Sequence, residues 1–124
     1  MFDQLDIFRT AGNMARHATL RQNVIAQNIA NADTPGYVAR DIAPFADSMA
    51  DTEGMRRSRP GHFGAPDQPD SRFASAGTMP SANGNSVSVE AEMVNAVEVR
   101  RQHDRALAIY RSSLALLRAS IGRR

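Results

Sequence analysis

The 124-residue sequence contains no cysteine, no lysine and no tryptophan. Without cysteine there are no disulfides, no thiolate nucleophiles and no cysteine-based zinc sites, and the redox state of the compartment leaves no mark. Without lysine, all 15 basic residues are arginines, and 13 acids reduce the formal charge to +2. The arginines are spread along the chain; the tightest groups are Arg56, Arg57 and Arg59, then Arg100 and Arg101, then Arg123 and Arg124. A nucleic-acid binder concentrates its charge in one patch with aromatics nearby, so this distribution argues against one. Aromatics make up only 6% of the residues, which suits a helical seam better than a thick globular core. No run approaches the roughly 20 apolar residues of a membrane span. A secretory signal peptide is not expected, because Asp3 and Asp6 stand where a basic segment would be and no apolar stretch follows.

The middle of the chain has its own deficit. From residue 46 to 86 there is no Val, Ile or Leu, while Pro60, Pro66, Pro69 and Pro80 and five glycines accumulate. Ordering a residue costs about 1–2 kcal/mol in backbone entropy alone, and Met49, Met55, Phe63, Phe73 and Met79 offer little apolar surface to offset it. Residues 46–86 are therefore expected to be a flexible connection between 1–45 and 87–124.

The flanking segments are rich in what the middle lacks. Ala11, Ala15, Ala18, Gln22, Ile25, Ile29 and Ala32 recur at steps of four and three, the spacing of a coiled-coil seam. Phe8 extends that seam, and Asp3 suits an N-cap. At the other end Val89, Met93, Ala96, Arg100, His103, Leu107, Tyr110, Leu114, Leu117 and Ile121 repeat the pattern. Ser88 suits its N-cap, Glu90 and Glu92 favour its first turn, and Gly122 suits a left-handed C-terminal residue. Between the first helix and the middle segment, residues 37–45 are β-branched and partly alternating, which predicts a short extended stretch limited by Pro44. The fold expected is all-α: two terminal helices of roughly 45 and 50 Å, paired as an antiparallel coiled coil, with 1–45 and 87–124 forming one helical core domain. Two helices leave much apolar surface uncovered, which predicts further partners.

Candidate chemistry is sparse. His17, His62 and His103 stand at no metal-ligand spacing, and the adjacent His103 and Asp104 point in different directions on a helix. There is no phosphate-binding glycine loop in strand–loop–helix context and no assignable nucleophile, base and acid. The expectation is a protein that is not an enzyme and uses no cofactor and no metal. Polar Gln22, Arg100 and His103 on the seams either set register or reach out to solvent.

One segment is more specific. Asn28, Ile29, Ala30, Asn31, Ala32, Asp33, Thr34, Pro35, Gly36 and Tyr37 read as a helix end followed by a rigid turn, with Pro35-Gly36 at the centre of a type II turn. Asn28 and Asn31 share a face, where they either cap free carbonyls or bond to another subunit. The string resembles the N-terminal signature of the flagellar axial proteins, the rod and hook family, as do the preceding residues 22–27. A second anchor, Asn83-Gly84-Asn85-Ser86-Val87 followed by Glu90, Glu92 and Met93, is similar to the start of the C-terminal helix in proximal-rod members of that family. Two departures are an Asn at position 83, where Asp is common in the family, and His103, where an aromatic often stands.

The resemblance implies a structural subunit of the proximal rod of the bacterial basal body, exported by the flagellar type III apparatus without a cleaved signal peptide. It implies a homo-oligomer in a helical rod that transmits torque for motility. Its implied partners are other rod proteins including FlgC, the rod adaptor FliE and the inner-membrane ring protein FliF. It places subunit contacts at Asn28, Ile29, Ala30, Asn31, Thr34, Pro35, Gly36 and Tyr37. The residues alone leave two other readings open: a coiled-coil adaptor forming a closed helical oligomer, and a basic helical nucleic-acid binder.

Overall fold

The structure is a computed structural model, and it describes residues 2–50, 73–77 and 79–122. Two long helices dominate it: α1, Phe2–Ala30, and a second of 33 residues, Val89–Ile121. Between them lie the strand β1, Arg40–Ile42, a short helix α2, Phe45–Ala50, and the strand β2, Phe73–Ser75; the long C-terminal helix is therefore α3.

The long helices pack antiparallel. Phe8 near the start of α1 meets Tyr110 toward the end of α3, with ring centroids 5.1 Å apart and an interplanar angle of 78°, an edge-on contact. At the opposite end, Asn85 just ahead of α3 bonds the backbone just after α1. At the centre, Ala18 and Ile25 of α1 enclose Val99, and Ala96 packs against them. The buried positions repeat every seven residues on both helices: Ala11, Ala18 and Ile25 on one, Glu92, Val99 and Ala106 on the other. That spacing is a coiled-coil interface, and its alanines let the two backbones approach closely.

The seam expected on α3 meets α1 in part, with Ala96 packed on the central cluster and Tyr110 on Phe8, but the fully buried positions are others. The structure turns that helix so that Glu92, Val99 and Ala106 face α1, one position before Met93, Arg100 and Leu107. Met93 is left 59% exposed and Ile121 76%. Gln22 and Ile29 also fall at the exposed edge of α1. With a single partner helix and closely spaced backbones, the narrow small-residue face is the one that fits, and larger apolar groups are turned outward.

The caps follow the sequence with two exceptions. Ser88 is the N-cap of α3, in extended conformation, and its Oγ accepts the Ala91 N–H. Helix α1 already begins at Phe2, so Asp3 lies within its first turn and not at its cap. Gly122 ends α3, donating its N–H to the carbonyl of Arg118 at 2.8 Å, yet its φ is −78°, so the left-handed conformation expected there is not used.

Within the stretch expected to be extended, residues 37–45, only Arg40–Ile42 form a strand and Phe45 already begins α2; β1 pairs antiparallel with β2 in the register Arg40↔Ser75, Asp41↔Ala74, Ile42↔Phe73. The strand stops at Ile42 ahead of Pro44. For residues 51–72 and 78 the expectation of a flexible middle lies outside the described residues. At its borders the ordered frame extends further than expected: α2 and β2 fall within 46–86, and Asn85 and Ser86 are buried.

Candidate functional site

The turn after α1, the strand β1 and the loop before α3 converge at one end of the helix pair. A helix end presents carbonyls with no partner in the helix, and each needs a donor from elsewhere. Asn31 supplies the first: its N–H reaches the carbonyls of Gln27 and Asn28, and its Nδ2 also donates to Gln27 at 2.8 Å. Thr34 closes back on Asn31 through its N–H at 3.0 Å and its hydroxyl at 3.3 Å. Pro35 and Gly36 then form the expected type II turn, closed by the Tyr37 N–H on the Thr34 carbonyl at 3.3 Å, with Gly36 at φ +72°. A side chain at Gly36 would be strained by that backbone conformation, although the space beside it is open.

The next donors come from the other end of the sequence. Asn85 is buried, and its Nδ2 lies 2.9, 2.7 and 2.8 Å from the carbonyls of Asn31, Ala32 and Thr34. Two hydrogens serve three acceptors, so one of them is shared. Its Oδ1 accepts the Val87 N–H at 2.7 Å. One amide therefore gathers the carbonyls of the turn after α1 and shapes the approach to α3. Backbone bonds run alongside: Gly36 N–H to Asn83, Ser86 N–H to Tyr37, and the Ala39 N–H to the Ser86 hydroxyl. Gly84, at φ +79°, lies against Gly36 so closely that a Cβ on it would meet the Gly36 Cα at 3.4 Å.

Asn28 resolves the question raised by its position. It is 1% exposed. Its Nδ2 donates to the Arg40 carbonyl at 2.7 Å, while its Oδ1 accepts the Arg40 N–H at 3.1 Å and the Tyr37 hydroxyl at 3.3 Å. The amide thus pairs with β1 as a strand would, and Asn28 and Asn31 both spend their polar groups inside the chain. Ile29, Ala30, Thr34, Pro35 and Gly36 remain exposed, with Tyr37 half-buried.

Three further residues complete the site. Arg21 grips Asp41 with two bonds of 2.8 Å, from Nε and Nη2. Burial pushes the Asp41 carboxyl up, but the hydrogen bonds from Arg21 and from the Ile42 N–H, with the arginine charge, outweigh it, and the net shift is downward. His17, buried on α1, donates from Nε2 to the Ala43 carbonyl at 2.8 Å and meets Phe45 edge-on at 5.6 Å. Glu92 of α3 is only 5% exposed, and its Oε2 has no hydrogen-bond partner among the described residues. Burial raises its pKa above the usual carboxylate value; the Asn28 amide opposes that shift, Asp41 adds to it and Arg21 opposes it.

Of the residues read as seam positions, Ala11, Ala18 and Ile25 are buried, Ala15, Val89, Leu107, Leu114 and Leu117 half-buried, and Ile29, Met93, Tyr110 and Ile121 exposed. Arg21, Asp41, Asn85 and Glu92 were not singled out for contact by periodicity. Asn85 and Glu92 carry a signal, a polar side chain just ahead of a helix or in its first turn, whereas Arg21 and Asp41 carry none. His103 and Asp104 stand 4.0 Å apart, too far for a hydrogen bond. Among the described residues no cluster of His, Cys, Asp and Glu is arranged to hold a metal ion, and no helix is long and apolar enough to cross a membrane.

Comparison with known proteins converges on the same segment. Residues 8–37 match the family described as Flagella basal body rod protein. The chain is 34% identical over 118 residues to flagellar basal body rod protein FlgB of Agrobacterium fabrum, covering 87% of each chain. It is 31% identical over 106 residues to FlgB of Cereibacter sphaeroides, covering 82% of each. A shorter match of 60 residues to FlgB of Escherichia coli is 47% identical and covers 48% of this chain and 41% of that one.

Proposed function

From the premise that this chain belongs to the FlgB family of flagellar basal body rod proteins and is a structural component of the rod, we propose that it assembles through the apolar faces its helix pair leaves open. The observation that carries this reading is a set of exposed large apolar side chains on both long helices. Ile7, Leu20 and Ile29 lie on α1; Met93, Val94, Val97, Ile109, Leu116 and Ile121 lie on α3. Two helices cannot cover such residues by themselves, and further helices packed alongside would.

A head-to-tail interface that does not close on itself yields a helical filament, and copies of this chain joined in that way would form a rod segment. The exposed part of the turn, Ile29, Ala30, Thr34, Pro35 and Gly36, offers a rigid surface for contact with a neighbouring subunit, while Asn28 and Asn31 hold it in shape from within. In this reading the chain co-assembles with FlgC and other rod proteins, meets FliE and FliF at the base, reaches the periplasm through the type III apparatus and transmits torque. The role is structural and not catalytic.

Deletion of the gene followed by isolation of basal bodies tests the reading. Loss of the rod and of motility is expected. Intact rods in the deletion strain would overturn it. Sedimentation of the purified chain with other rod proteins separates it from a closed coiled-coil adaptor: open-ended co-assembly is expected, and a dimer or trimer of fixed size would favour the adaptor.

A further inference from the structure

We propose that Asn83-Gly84 is a site of spontaneous backbone modification, through a succinimide, that the fold holds shut. The chemistry needs no partner but water. The Gly84 nitrogen, on losing its proton, attacks Cγ of Asn83; a C–N bond forms and the side-chain amide leaves as ammonia. Water then opens the ring at either carbonyl and leaves aspartate or isoaspartate. A following residue with a side chain shields the attacking nitrogen, and glycine does not. Among the seven asparagines of this chain, Asn83 alone precedes glycine; the others precede Met14, Val24, Ile29, Ala32, Ser86 and Ala96.

Both residues are exposed, so water and base have access. Two features nevertheless oppose ring closure. The Gly84 N–H is donated to the Ser81 carbonyl at 2.8 Å, which holds both its proton and its direction. The Asn83 Oδ1 lies 2.6 Å from the Ser81 hydroxyl, whose one proton it shares with the Asn85 carbonyl at 3.0 Å, and it accepts the Asn85 N–H at 3.0 Å, which together fix the side chain. Attack requires release of the first and rotation against the second. Ser81 supplies an acceptor to one reactant and a donor to the other, and is the positioning residue of this lock.

The two products differ in cost. Aspartate presents the same oxygen to Ser81 and Asn85 and leaves the backbone unchanged. Isoaspartate reroutes the main chain through Cβ and Cγ of residue 83 and turns the former backbone carbonyl, which receives the Gly36 N–H, into a side carboxylate, two residues before the Asn85 that holds the turn after α1. The lock thus protects the junction from a lesion that arises whenever the chain is unfolded.

The full-length chain is incubated in mildly alkaline buffer, folded and in denaturing urea, and the conversion of amide to carboxyl at Asn83 is followed by mass spectrometry with fragmentation that separates isoaspartate. Conversion is expected to be at least about tenfold slower in the folded chain, the factor that about 1.4 kcal/mol supplies. In Ser81→Ala the folded rate is expected to rise while the rate in urea stays unchanged. Equal folded and unfolded rates in the wild type would overturn the proposal, whatever the variant does. So would a folded Ser81→Ala chain that converts no faster than wild type.

Discussion

The two ends of the helix pair are held by different chemistry. At the end where α1 stops and α3 starts, the contacts are polar and, Glu92 Oε2 apart, paired: Asn28 and Asn85 between them reach five backbone carbonyl or N–H groups of other segments, and Arg21 and Asp41 form a two-pronged pair. At the other end the contacts are apolar, with Phe8 edge-on to Tyr110, and Leu116 and Ile121 stand 67% and 76% exposed. Directional bonds define one geometry and accept no substitute, whereas apolar surface is indifferent to what covers it. One end specifies the subunit's shape by its buried bonds; the other is held by apolar packing, and in the reading proposed above neighbours cover the apolar groups left open along both helices.

The largest effect on stability should come from breaking the polar end. Asn85→Ala leaves three carbonyls and the Val87 N–H without their partner, and is expected to cost about 3 kcal/mol, read from the urea midpoint at unchanged slope. A cost near zero would mean that water replaces the amide without loss. Asp41→Asn should cost about 1.5–3 kcal/mol at neutral pH, since it removes the charge from both bonds to Arg21. Its pH dependence has a definite sign. The folded carboxyl titrates below its usual value of 3.8, so its contribution is present above that value and disappears as the pH falls through the depressed folded pKa. Acid melts of wild type and Asp41→Asn should therefore converge.

Glu92 behaves in the opposite sense. Its folded pKa lies above the usual 4.5, so the native state binds more protons than the unfolded chain in that window, and stability declines as the pH rises from 4.5 through the folded value. Glu92→Gln keeps the shape, removes the buried charge and is expected to be more stable than wild type at neutral pH, with the gain vanishing in acid. A destabilised variant at every pH would show that the carboxylate is needed where it stands. The smallest effect belongs to the open end. Leu116→Ser should change the stability of the isolated chain by no more than about 0.5 kcal/mol while impairing rod assembly and motility. Normal motility would remove Leu116 from the proposed contact surface.

The same contrast explains how much could be read from the residues alone. The helices, the Ser88 cap and the Pro35-Gly36 turn are local: a repeat, a hydroxyl before an acidic turn, a proline before a glycine. Which face of α3 meets α1 is not local. Met93, Arg100 and Leu107 mark one face, but the fit between closely spaced backbones selects Glu92, Val99 and Ala106, each one position earlier. The junction was legible as a turn and not as a junction, because the bonds of Asn85 span more than fifty positions and no periodicity carries them. The pairing of Arg21 with Asp41 joins a helix to a strand and is equally silent in the pattern of either.

The close approach of Gly84 to Gly36 has a consequence for how such a chain can change. Together with the β1–β2 pairing, it brings the main chain back to the end of α1 before α3 begins. The paired strands close the frame by themselves, so its geometry does not depend on how many residues the chain places between them. Doubling the length of such an excursion costs only about 0.6 kcal/mol. A subunit built this way can lengthen, shorten or replace its central stretch by insertion and deletion while the parts that define its geometry inherit no strain.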